Sequence, residues 1–87
     1  MSRLYVITSG SLEIRGLVSP GELPDLVAEF YCSAEQYGAK ADMLLNGELI
    51  AVKGDVKVSL MVGATSPPMP SRLLEEVLEE VMEKAFQ

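Results

Sequence analysis

Histidine and tryptophan are absent from this 87-residue chain, and cysteine occurs once, at Cys32. Without imidazole there is no conventional base for a serine or cysteine nucleophile and no histidine ligand for a metal. A lone cysteine cannot close a disulfide within the chain, which fits a reducing compartment. Basic residues are also scarce: 7 Lys and Arg stand against 13 Asp and Glu, for a net charge of −6. Such a surface repels phosphate backbones, and no cluster concentrates the few cations, so nucleic acid and anionic membranes are poor partners. No stretch approaches the roughly 18 uninterrupted apolar residues of a membrane span. The N-terminal MSRLYVITSG also lacks the apolar core of a signal peptide. The expectation is a cytoplasmic protein with no direct membrane insertion.

What is present is a globular composition, 48% hydrophobic and 23% charged, spread over a length that suits one domain, residues 1–87. A domain of this size buries a modest core and is marginal alone, so pairing with a second copy is expected.

Residues 4–15 alternate as a hairpin. A two-residue turn at Ser9-Gly10 opposes Thr8 to Ser11 and Tyr5 to Ile14, which puts Tyr5, Ile7, Leu12 and Ile14 on one face. Ser19-Pro-Gly-Glu22 has the form of a capping box. A helix is expected from near Glu22, with Pro24 in its first turn and Leu23, Leu26, Val27, Phe30, Ala34 and Tyr37 as its apolar stripe. Gly38 is placed to end it.

Asn46-Gly47 then reads as a type I′ turn opposing Leu45 to Glu48, Met43 to Ile50 and Ala41 to Val52. A three-residue loop, Lys53-Gly54-Asp55, would oppose Val52 to Val56 and lead into a strand over 56–62. Residues 63–70, GATSPPMP, should not continue a central strand, because proline lacks the N–H that a ladder needs. A second helix is expected from Ser71, with Leu73, Leu74, Val77, Leu78, Val81, Met82, Ala85 and Phe86 apolar. The expected fold is α+β, a five-stranded antiparallel sheet with two helices in the order ββαβββα. Its second face is not polar: Leu4, Val6, Leu44, Leu49 and Met61 fall there. One helix on each side, or a partner over part of the sheet, would hide them.

Few residues offer chemistry. Cys32 reads as an ordinary small apolar residue of the first helix, the kind usually buried. Glu75, Glu76, Glu79, Glu80 and Glu83 form either a solvated helix face or a docking surface for a basic partner, and only Glu80–Lys84 has the favourable i,i+4 order. The SPPMP stretch reads as a stiff connector rather than a polyproline ligand. The glycines form no phosphate-binding loop, and Asp25, Asp42 and Asp55 lack calcium-loop spacing. No catalytic, cofactor or metal residues are assigned, and an enzyme is not expected. On the first helix, Ala28, Tyr31 and Cys32 make a second strip beside the core stripe. It either admits another helix closely or merely widens the buried face.

The element order resembles the core of the Roadblock (dynein light-chain) family and of the related longin domains. It does so from LYVITSGSLEIRG through LVAEFYCSAEQYGAK and ADMLLNGELIAVKGDVKVSLMVGA to SRLLEEVLEEVMEKAF. The extra N-terminal helix usual in Roadblock proteins finds no place before Leu4, and the further helix usual in longin domains has no counterpart. The phosphocarrier HPr is similar in length, but its phosphorylated histidine has no equivalent here. The Roadblock resemblance implies helices on both sides of the sheet. It also implies a non-enzymatic homodimeric protein-interaction module, a scaffold or regulator of a small GTPase-type partner. By position it puts the pairing surface on the helix from Leu23 to Tyr37 and the strand from Ala41 to Leu45, and the interface expected within them is Ala28, Tyr31, Cys32, Ala41, Met43 and Leu45. The other reading is an assembly adaptor or chaperone-like accessory protein unrelated to GTPases.

Overall fold

Five strands and two helices follow one another as ββαβββα: β1 (Arg3–Ser9), β2 (Leu12–Val18), α1 (Leu23–Gln36), β3 (Lys40–Met43), β4 (Leu49–Lys53), β5 (Val56–Thr65) and α2 (Leu74–Phe86). The computed structural model describes residues 2–65 and 74–87. The helix start expected at Ser71, the apolar Leu73 and the SPPMP connector lie outside them. All strands join one antiparallel sheet in the order β2-β1-β5-β4-β3, so β2 and β3 form its edges. The expected α+β class and element order are therefore present.

Each hairpin turns at a slightly different place from the one expected, and parity decides what that does. In the first, Ser9 pairs with Leu12 and Ile7 with Ile14, so the turn is Gly10-Ser11. This moves the register by two residues, and every side chain keeps its expected face. In the second, Met43 pairs with Leu49 and Ala41 with Ala51. Here the Gly47 N–H donates to the Leu44 carbonyl (2.9 Å), and the Leu44 N–H donates to the Glu48 carbonyl (2.8 Å). Gly47 sits at φ +87°, a conformation that side chains resist. The connection is thus a three-residue loop with a glycine bulge, not a two-residue turn. The Asn46 side chain completes it by accepting the Glu48 N–H at 2.9 Å.

The third hairpin turns at Gly54-Asp55, with Lys53 opposite Val56. Both one-residue slips fall on β4, which is turned over relative to expectation while β3 and β5 are not. Leu49 and Ala51 point into the core, and Ile50 and Val52 point out of it. A further difference lies in β5, which runs on through Gly63 to Thr65 as a central strand. Its ladder survives because the first proline of the segment is Pro67, and one extra residue of β5 is absorbed between Tyr5–Val62 and Arg3–Thr65 as a bulge.

The first helix begins and ends as its sequence suggests. Ser19 donates its N–H to the Glu22 carboxylate at 3.4 Å across a single 3₁₀ turn, Pro20–Glu22. Pro24 then occupies the second position of α1, where no intrahelical donor is missed. At the far end Gly38 takes φ +74°, which lets its N–H reach the Glu35 carbonyl at 3.0 Å and the Ala39 N–H reach Ala34 at 2.9 Å. This is a Schellman cap, and it reverses the chain directly into β3.

One correction concerns the layers. α1 packs over β3 and β4, α2 packs over β5, β2 and β1, and the two helices touch each other. Both therefore lie on the same side of the sheet. Leu26, Phe30 and Ala34 of α1 and Val77, Leu78, Val81 and Met82 of α2 meet Tyr5, Ile7, Leu49, Ala51, Val58 and Leu60 in one core. Among the described residues, helices on both sides, as the Roadblock and longin resemblance implied, are not found. The reason is the width of the apolar surfaces: two adjacent broad helix stripes are needed to cover five strands, which leaves neither α1 nor α2 for the other face. Lys53 closes one end of the covered side, donating from Nζ to the Phe86 carbonyl at 3.5 Å, at the negative end of α2.

Candidate interaction surfaces

The six residues expected at an interface come from α1, β3 and the loop after it, and α1 does lie against β3. They do not form a uniformly open patch. Ala28, Cys32, Met43 and Leu45 are exposed, Leu45 completely. Tyr31 and Ala41 are half-buried and already pack against the core. The exposure of Cys32 corrects the expectation that it would be buried; it lies on the side of α1 away from Phe30 and Ala34, where no described element covers it. The strip Ala28–Tyr31–Cys32 is divided. Tyr31 widens the buried face, and the other two remain at the surface.

The edge of β3 is guarded. Met43 turns its N–H outward, and that donor is taken by the neighbouring Asp42 carboxylate at 2.8 Å. With Lys40 and Asp42 on a strand of only four residues, this edge is blunted against pairing with another strand.

The second candidate is the uncovered face of the sheet. Its centre is apolar: Leu4 and Val6 of β1, Leu17 of β2, Ile50 and Val52 of β4, and Met61 of β5, with Leu44 at the margin. Val52 and Met61 are each 37% exposed and Leu44 39%, on a surface where neighbouring side chains already screen one another. No described element lies over them. Charges stand mostly toward the margins: Glu13 and Arg15 on β2, paired at 3.0 Å, Lys57 on β5, and Lys40 and Asp42 on β3. The Ser59 hydroxyl donates to the Glu48 carboxylate at 2.7 Å, which ties down the acid nearest the centre. The sequence pattern reveals Leu4, Val6, Leu44 and Met61 here, but not Ile50 and Val52. The run Leu49-Ile50-Ala51-Val52 has no polar alternation to show which side faces inward.

Val18, Glu22, Leu26, Leu74 and Glu75 line a pocket of about 80 Å³ between the N-terminal ends of the helices, against roughly 300 Å³ or more for a typical ligand site. Among the described residues no three Cys, Asp or Glu side chains gather as a metal-binding set, and no helix is long and apolar enough to cross a membrane. On the outer side of α2, Glu75, Glu76, Glu79 and Glu83 are exposed, and Lys84 meets Glu80 at 3.2 Å. Comparison with protein-family models, with curated proteins and with solved structures gives no match.

Proposed function

We propose that the chain is a non-enzymatic, homodimeric protein-interaction module that works as an assembly adaptor. The observation that carries this reading is the apolar second face of the sheet, which neither helix covers. A monomer that leaves so many aliphatic side chains side by side in water gains by burying them against a protein surface. The lack of imidazole and the small size of the pocket point the same way. The edge formed by β3 and the outer strip of α1 (Ala28, Cys32, Met43 and Leu45) offers a second contact surface on the same molecule.

Light scattering at micromolar concentration tests the dimer. A mass of twice the chain is expected, and a strictly monomeric particle would remove the reading.

A Roadblock-like scaffold or regulator of a small GTPase-type partner is the second reading, and the element order favours it. The one-sided helix layer takes away the support that two covered faces would have lent. Affinity capture from the native cell separates the two: a GTPase among the bound proteins supports the second reading, and its absence supports the adaptor.

A further inference from the structure

We infer that the uncovered sheet face is the surface through which two copies of this chain pair, sheet against sheet, with the two-fold axis running across the strands. The inference rests on the homodimer proposed above and names where the copies meet.

Area comes first. Five strands about 4.8 Å apart, with three rows of side chains about 6.7 Å apart, give a flat patch of roughly 500 Å² per copy. Two such patches bury about 1,000 Å², the lower limit for a specific interface. The patch is large enough only if the whole face is used, and a flat sheet meets such a surface best in a second sheet.

Charge then selects the orientation. Side chains on this face fall in cross-strand rows. One row runs Glu13, Thr8, Ser59, Ile50, Asp42, and the next runs Arg15, Val6, Met61, Glu48, Leu44. An outer row holds Lys57, Val52 and Lys40. A two-fold axis along the strands lays each row on itself, which sets Glu13 over the second copy's Asp42 and Lys57 over its own equivalent. An axis across the strands exchanges the first two rows. Glu13 then lies over the second copy's Arg15, twice by symmetry, and Met61 lies over the second copy's Ser59. Only the second arrangement brings opposite charges together, with Val6 and Met61 lying over the second copy's Thr8 and Ser59 and Ile50 over its Glu48.

The competing surface is poorly prepared. The outward N–H of Met43 is already occupied by Asp42, and Tyr31 and Ala41 are committed to the core. Pairing through the sheet leaves the α1–β3 edge free for a different protein.

Sedimentation velocity on the full chain, with circular dichroism to confirm folding, tests this with four variants. Met61→Glu, at the centre of the patch, should weaken the dimer at least about 30-fold, as for a central anchor residue. Ala28→Glu, exposed on α1, should leave it unchanged. Glu13→Arg alone should weaken pairing, and Glu13→Arg with Arg15→Glu should restore it. A dimer that survives Met61→Glu but not Ala28→Glu moves pairing to α1 and overturns the inference while leaving the adaptor reading intact. A double reversal that fails to restore pairing overturns the orientation. A wild-type chain that is monomeric throughout overturns both proposals.

Discussion

Tyr5 concentrates the cost of this core in one atom. Its side chain is fully buried at the centre of β1, and its hydroxyl has no hydrogen-bond partner among the described residues. A buried hydroxyl without a partner costs about 1–3 kcal/mol. Tyr5→Phe keeps the ring and removes that burden, so the variant should be more stable by about 1 kcal/mol, read from urea unfolding. A loss of stability would mean that the hydroxyl is satisfied in solution. Gly38 and Gly47 act at the same scale, each supplying one positive φ at a point where the chain reverses. Both were legible from sequence because glycine at the end of an apolar helix stripe, or after asparagine between strands, has few other uses.

At the scale of elements, β4 is where reading and structure part. Its neighbours β3 and β5 carry residues whose inward faces follow from alternation. Leu49-Ile50-Ala51-Val52 is apolar throughout, so only the lengths of the two flanking loops set its parity. The bulge at Gly47 and the two-residue turn at Gly54-Asp55 each shift it by one, and a one-residue slip exchanges the faces completely. This register makes a sharp prediction. Ala51→Glu buries a charge without a partner and should destabilise the fold by more than about 3 kcal/mol. Val52→Glu places the same side chain on the open face and should keep the circular-dichroism spectrum of the folded protein. If the two variants behaved in the reverse order, the register expected from a type I′ turn would be the true one.

The helices show a related division. Their stripes, the caps of α1 and the exposed acidic outer side of α2 could all be read from spacing. Which side of the sheet they would choose could not. The apolar positions of α1 and α2 demand burial against some surface, but both faces of the sheet are apolar enough to serve. Contact between the two helices, beside their contacts with the sheet, accompanies the choice of a common side.

For the molecule as a whole, that choice converts a two-faced sheet into a two-layer domain with an unpartnered surface. Stability and assembly are then linked. If burying the open face is part of what holds the fold, the thermal midpoint should rise with protein concentration, since association stabilises the native state by mass action. Differential scanning calorimetry across a hundredfold dilution series checks this, and a midpoint independent of concentration would separate folding from pairing. The same arrangement places the α1–β3 edge and the acidic side of α2 outside the paired face, available for other proteins.

By itself the sequence determined the kind, order and polarity of the elements, because periodicity, caps and glycine turns are local properties of neighbouring residues. It also determined that the sheet would be apolar on both sides and that histidine chemistry was unavailable. Only the tertiary structure decided the parity of β4, the strand order and the side on which both helices lie. These depend on how turn geometry and helix stripes compete for the same apolar surfaces across the chain, and that competition leaves no mark within any one segment. The open patch that carries the proposed function, Val6, Ile50, Val52 and Met61 together, exists only after it is resolved.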